Sequence, residues 1–304
     1  MSDSLRPSLL LVGHGSRSEA GVAAYWELAA QVRQARPDLE VGCGFIELAE
    51  PHLDEAIDAL VGAGADCVAV VPLLLLGAGH MKNDGPAVLA EARRRHPSAR
   101  FEYGRPLGIH PLVLAATEDR INEALGSQPI NGGPPAGAAS GPSTAHQVLL
   151  VGRGSSDPDA NSDLYKVARM LSEGRGLPSV EPAFVSLATP SVAEGLERCR
   201  QLGATRITVV PYFLFTGVLV ERIAVQARSW ADAHPAVSVV QGGELGPDPR
   251  IVQLVLERHD EAMGGTAHMN CDCCVYRSAL PGFESRVGAP AGGPLASHSH
   301  PHSV

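Results

Sequence analysis

Short apolar runs alternate with longer amphipathic stretches along the first 124 residues, and the alternation starts again near residue 147. Four runs, 9–12, 41–46, 67–72 and 101–103, are rich in aliphatic or aromatic side chains and have the length of strands. The segments 21–34, 53–61, 87–95 and 112–124 carry apolar residues at helical spacing. Asp54 and Glu55 suit the first turn of the second helix, and Pro111 suits the start of the fourth. Strand–helix alternation predicts an α/β fold, a parallel sheet with helices on both faces. It does not give the strand order.

The second half repeats the first. LLVGHGS from Leu10 matches LLVGRGS from Leu149, FIELAEPHLDEAIDAL from Phe45 matches FVSLATPSVAEGLERC from Phe184, and VAVVPLLLLGAGH from Val68 matches ITVVPYFLFTGVL from Ile207. The offset is 139 residues in all three blocks, as from Gly13 to Gly152, and becomes 138 at His96-Pro97 against His234-Pro235. Two copies of one fold account for this with the fewest assumptions. The expected organisation is a first domain over 1–126, a Gly- and Pro-rich linker over 127–145, a second domain over 146–263 and a C-terminal segment over 264–304. Periodicity stops after Gly264, and the stretch from Ser278 reads as a mobile tail.

The duplication is an internal control. Gly13, Gly15, Ser16, Pro51 and Pro72 have counterparts in Gly152, Gly154, Ser155, Pro190 and Pro211, and so look architectural. Three polar positions diverge: His14 becomes Arg153, Glu47 becomes Ser186 and His80 becomes Leu219. Each follows the carboxyl end of an expected strand, the edge at which open α/β sheets bind ligands. They are spaced by 33 and 33 residues, one strand–helix–strand unit each, and can therefore converge on one cleft. Two imidazoles and a carboxylate can hold a late first-row divalent metal, and histidine also takes protons near neutral pH. In this reading His14 is the leading metal ligand and proton acceptor, His80 a second ligand or base, and Glu47 orients an imidazole or passes protons onward. The plainer alternative is that all three are ordinary loop-end residues.

Composition narrows the partners. With 24 Lys plus Arg against 33 Asp plus Glu, the formal net charge is −9, which argues against a broad nucleic-acid surface. Arg93, Arg94 and Arg95 read as the solvated end of a helix. The longest apolar run, Val68 to Leu76, is far short of the roughly 20 residues of a membrane span. No signal peptide is visible, which leaves the cytoplasm as the expectation. Gly13-His14-Gly15-Ser16 is not the dinucleotide fingerprint, and no phosphate loop follows either first strand. Cys43, Cys67 and Cys199 stand in apolar surroundings and read as buried small hydrophobes.

LLLVGHGSR with His14, FIELAEPHLDEAI with Glu47 and VPLLLLGAGHMKND with His80 together resemble the class II tetrapyrrole chelatases, in particular the long sirohydrochlorin chelatases of cobalamin and siroheme synthesis. The resemblance runs from about Leu9 to His259. It implies two tandem chelatase-like domains facing across a cleft, and ATP-independent insertion of Co²⁺ or Fe²⁺ into sirohydrochlorin with release of two protons. The family's catalytic histidines fall on His14 and His80 and its active-site glutamate on Glu47. An anionic tetrapyrrole needs hydrogen-bond donors, and Ser16, Arg17, Lys82, Asn83, Arg153 and Ser155 are the candidates. The second copy would then serve as a wall and anion clamp. Leu73–Leu76 and Tyr212–Phe215 either flank the macrocycle or pack in the core, with the core favoured.

Met269, Cys271 and Cys274 resemble the C-terminal MxCxxC segment that some long chelatases use for an iron–sulfur cluster, and Cys273 is an addition. One chain supplies three clustered thiols where such a centre takes four ligands. His268, or a second chain in a homodimer bridged through these cysteines, would complete the set; a monomer with a plain metal- or redox-active thiol segment is the alternative. His298, His300 and His302 would collect divalent metal weakly. Cobalt is the expected metal, siroheme-type iron insertion the alternative, and a non-catalytic metal or tetrapyrrole carrier the reading from a different class.

Overall fold

The computed structural model describes residues 7–130, 145–269 and 274–288. Each copy is a four-stranded, wholly parallel sheet. In the first, β1 (Pro7–Gly13), β2 (Glu40–Phe45), β3 (Cys67–Pro72) and β4 (Arg100–Tyr103) lie in the order β2-β1-β3-β4. In the second, β5 (His146–Gly152), β6 (Ser179–Phe184), β7 (Arg206–Pro211) and β8 (Ser238–Gln241) repeat that order as β6-β5-β7-β8. The direction of strand addition reverses between β1 and β3, which opens a crevice at their carboxyl ends.

The central strands β1, β3, β5 and β7 are buried almost throughout, without alternation, because both faces are covered. Leu9 and Leu11 face one core; Leu10 and Val12 face another. The outer face of the first sheet is closed by α2 (Leu53–Gly62) and α3 (Gly85–Arg95), and that of the second by α6 (Val192–Gln201) and α7 (Val218–Ala233). The inner faces share one core, supplied by α1 (Glu19–Ala35), α4 (Pro111–Leu125), α5 (Pro158–Ser172) and α8 (Pro249–Met263). The last helix of each copy crosses over. The helix α8 packs against β3, β4 and α1, whereas α4 packs against β7, β8 and α5. Sequence periodicity found these helices but not their exchange, because a stripe of apolar residues does not say which sheet it will meet.

Charged side chains fasten the crossover. Arg258 of α8, 1% exposed, donates to the carbonyls of Pro106 (3.0 Å) and Leu107 (2.7 Å). Arg105 forms a two-pronged pair with Glu261 at 2.8 and 2.7 Å. Beyond the linker's start, the Ile130 amide donates to Val239 O at 2.8 Å. Cys43, Cys67 and Cys199 are buried, as their surroundings imply. Residues 274–288 form turns, with Cys274 and Val275 buried and the stretch from Ser278 to Gly288 exposed or half-buried. No helix among the described residues is long and apolar enough to cross a membrane.

Replacing Arg258 by Met keeps the apolar stem and removes the donors that the buried Leu107 carbonyl and the part-buried Pro106 carbonyl use. Unfolding by urea should show a loss of about 3 kcal/mol, the scale of leaving buried polar groups without partners. A loss below about 0.5 kcal/mol would mean that the crossover does not depend on this side chain.

Candidate functional site

The site forms where the backbone carries β-type pairing beyond the strand ends. The amide of Ile46 donates to Gly13 O at 2.9 Å, and the amide of Glu47 donates to His14 O at 3.0 Å. His14 and Glu47 are thereby delivered side by side. Gly15, at φ +95°, permits this: a Cβ there would lie 1.6 Å from Glu47 O. The second copy has the same frame, with Gly154 at φ +85° against Ser186 O. The loop geometry is thus common to both copies, and the side chains are what changed.

His14 Nε2 lies 3.2 Å from Glu47 Oε1, with the two side chains 22% and 33% exposed. The same nitrogen lies 3.1 Å from Nη1 of Arg153. Arg153 is the counterpart of His14, so the near two-fold relation of the copies sets the equivalent positions face to face. Loss of water around it lowers the Arg153 guanidinium from its ordinary value, and the Glu47 charge opposes that shift. The His14 Nδ1 is 3.4 Å from Gly15 O, a long contact.

His80 opens a π-helical turn, His80–Asp84, that leads into α3. Its side chain lies outside the described residues. The turn is held from two sides. Tyr103 donates its hydroxyl to Met81 O at 3.0 Å. Lys82 Nζ reaches into the second copy, 2.7 Å from Asp157 Oδ2 and 2.8 Å from Asp159 Oδ2. Burial works to lower Lys82, but the two carboxylates hold it above its usual range.

The remaining candidates line the same edges. Ser16 Oγ accepts from the Ser18 amide at 3.0 Å and Ser155 Oγ from the Asp157 amide at 3.0 Å, so both hydroxyls shape their loops. Arg17 is exposed and Asn83 half-buried. A cavity of about 430 Å³ beside the first loop has Ser16 and Arg17 on its polar rim and Val22, Trp26 and Leu48 on its apolar wall. A larger hollow, about 700 Å³, is lined by Glu118, Met170, Glu173 and Arg175 and touches none of these residues, so size does not mark the site. Leu48 and Leu187 are 45% and 63% exposed. Each occupies the left-handed region, at φ 66° and 62°, which is unusual for a bulky residue and common at functional loops. Leu73, Leu75, Tyr212 and Leu214 are buried in the core.

Among the described residues, no group of three or more His, Cys, Asp or Glu side chains is gathered to hold a metal. The third member of the His14–Glu47–His80 set is the undescribed imidazole. Of the C-terminal cluster, Cys271 and Cys273 lie outside the described residues, Cys274 is buried and His268 is exposed. His298, His300 and His302 also lie outside them.

The CbiX family model matches residues 8–124 and again 147–262, once on each copy. This chain belongs to the CbiX family of class II chelatases. The sirohydrochlorin cobaltochelatase of Priestia megaterium is 36% identical over 273 residues, covering 90% of this chain and 85% of that protein. The sirohydrochlorin ferrochelatase of Bacillus subtilis is 32% identical over 279 residues, covering 90% of this chain and 99% of its own. A solved structure of SirB from Bacillus subtilis with Fe³⁺ superposes with a TM-score of 0.71 at 28% identity, covering 88% of this CbiX-family chain and 100% of that one. A second SirB structure, in complex with cobalt, gives 0.67 at 31% identity, covering 86% and 97%.

Sequence reasoning placed His14 and Glu47 together but missed the Lys82–Asp157–Asp159 clamp. Asp157 caps α5 and Asp159 lies in its first turn, positions whose ordinary helix-start chemistry gives no sign of a partner in the other copy. Lys82→Met should leave the Asp157 and Asp159 carboxylates, side by side at the start of α5, without the cation that reaches them from the first copy, with a loss of about 3 kcal/mol in chemical unfolding. Removing the charge of both partners as well, with Asp157→Asn and Asp159→Asn, should restore part of it. No recovery in the triple variant would mean that Lys82 acts through packing instead.

Proposed function

We propose that this CbiX-family chain is a sirohydrochlorin chelatase that inserts Co²⁺ without ATP, releasing the two pyrrole protons. The observation that carries the reading is the His14–Glu47 pair, 3.2 Å apart, at the carboxyl edge of the first sheet and replaced by Arg153 and Ser186 in the second. A neutral imidazole offers the metal one lone pair, held weakly enough to be given up. Once the metal has left, the same nitrogen takes a pyrrole proton and passes it to the adjoining carboxylate. His80 supplies the second imidazole of this scheme.

Sirohydrochlorin is a polycarboxylate, and the cleft offers Arg17 and Arg153 with the donors of Ser16, Asn83 and Ser155. Lys82, engaged by Asp157 and Asp159, contributes by fixing the turn between His80 and Asn83. Leu48 and Leu187 provide apolar contact for the macrocycle from the two copies. Similarity to the Priestia megaterium cobaltochelatase at 36% identity favours cobalt. Iron is the second reading, favoured by the ferrochelatase of Bacillus subtilis, which this chain matches along 99% of that enzyme's length. His, His and Glu do not themselves separate the two metals.

Anaerobic insertion into sirohydrochlorin, followed by absorbance with Co²⁺ and Fe²⁺ in parallel, tests the reading. Multiple turnovers are expected, with the faster metal identifying the pathway. His14→Ala should lower turnover about 10²–10⁴-fold, the usual size of a lost acid–base group. Glu47→Gln, which keeps a polar contact but cannot take a proton, should lower it less. Folded protein that gives no acceleration over spontaneous insertion with either metal would sink the enzyme reading in favour of a carrier.

A further inference from the structure

The residue before His80 is Gly79. Its backbone lies outside the left-handed region, so conformation does not demand glycine there. Space does demand it: among the described residues, the atom that a Cβ at Gly79 would meet is the Tyr276 hydroxyl, at 3.1 Å, closer than side chains ordinarily pack. The second copy is the control. Its residue at the 139-residue offset is Val218, which opens α7 and is 50% exposed. The approach to the third loop is therefore packed by Tyr276 in the copy that carries the histidines, whereas the equivalent position in the other copy bears a side chain that faces solvent.

Tyr276 belongs to a stretch that is folded on itself. Cys274 and Val275 before it are buried, and the amides of Arg277 and Ser278 donate to Cys274 O at 2.9 and 2.8 Å. The amide of Gly288 donates to Tyr276 O at 3.3 Å, and Arg286 Nη1 reaches Ser156 O of the second copy at 3.5 Å. Burial raises the Tyr276 phenol from its ordinary value; Arg286 opposes that shift, and the charges of Asp157 and Asp84 add to it, which sets the ring beside the Lys82 clamp. Three groups thus brace the His80–Asp84 turn. Tyr103 holds Met81 O, and Lys82 is tied to Asp157 and Asp159; of the three, Tyr276 is the one that bears on the backbone before His80. We propose that Tyr276 is a positioning residue for His80: its hydroxyl, seated in the space that Gly79 leaves empty, fixes the point at which the turn begins. This rests on the reading of His80 as the second imidazole, and it makes the C-terminal segment part of the site's scaffold.

The test is metal insertion into sirohydrochlorin by the full chain, with Co²⁺ and Fe²⁺ in parallel, on variants that urea unfolding shows to be folded. Tyr276→Ala should lower kcat roughly 10- to 100-fold, the scale of a misplaced reacting group, while the KM for sirohydrochlorin stays within about two-fold. In a His80→Ala chain the same substitution should cost no more than about two-fold, because the group it positions is already gone. A second pair reads the packing contact itself. Gly79→Ala should lower kcat by forcing the hydroxyl away, and Gly79→Ala/Tyr276→Phe should recover most of the loss, since the added methyl enters the space that the oxygen vacates. An equal loss from Tyr276→Ala with and without His80 would overturn the proposal and leave Tyr276 a general support of the fold. So would parental kcat in Gly79→Ala or in Tyr276→Ala. Parental turnover in His80→Ala is a separate failure: it removes His80 from the reaction, and the proposal falls with that reading whatever the Tyr276 variants do.

Discussion

Each four-stranded sheet has an inner face that its own helices cover only in part, and the missing helix comes from the other copy. The helices α4 and α8 cross between the halves and complete one shared core with α1 and α5. Neither copy can bury its inner face alone, so the two are obliged to pack in one relative orientation. That orientation turns the carboxyl edges of the two sheets toward each other. The cleft, the facing of His14 and Arg153, and the reach of Lys82 to Asp157 and Asp159 all follow from it. Buried charge reinforces the arrangement at Arg258, whose donors meet carbonyls of the opposite copy. Such contacts add little net attraction compared with apolar packing, but they penalise any other register of the two halves.

With orientation fixed by the shared core, the loops were at liberty to diverge. In the first two loops the backbone did not: Gly15 and Gly154 lie against the next loop in the same way, and Leu48 and Leu187 share the same left-handed conformation. What differs is chemistry at three side-chain positions. A histidine–carboxylate pair stands on one wall and a guanidinium on the other, so a roughly two-fold frame holds an asymmetric site. A planar, polycarboxylate ring with one face toward a metal donor needs this kind of site, with acid–base groups on one side and charge recognition on the other.

The duplication, the strands and the positions of His14 and Glu47 were legible in the sequence, because each depends on local pattern or on comparing one copy with the other. Strand order was not, since β2-β1-β3-β4 is a choice among parallel arrangements that share the same apolar runs. The helix exchange was hidden for the same reason. Arg153 was legible as a departure from histidine and as an anion donor. Its contact with His14 was not, because that contact depends on how two domains are posed. Lys82 shows the difference between a residue type and its surroundings: a lysine following the third motif suggests an anion contact, yet here two aspartates from across the boundary engage it.

One feature of the third motif was written in the sequence in a form that motif reading passes over. The offset between copies is 139 at His80 against Leu219 and 138 at His96 against His234, so the first copy holds one additional residue between these points. A π-helical turn, with its i to i+5 hydrogen bonds, is how a helix absorbs a single extra residue without losing the register that follows. The structure has such a turn at His80–Asp84, whereas the second copy runs through the equivalent stretch as regular α7. Pro86 contributes, because it has no amide for the bond to Lys82 O and its ring crowds that carbonyl; the second copy has Val225 at the 139-residue offset. The extra residue rotates the start of the helix relative to its body. His80, Lys82 and Asn83 are thus presented from a wider turn than their counterparts, while Leu89 and Ala92 keep their place against the outer core. The insertion therefore separates two demands on one helix, packing at its end and presentation of polar groups at its start, and it does so only in the copy that carries the histidines.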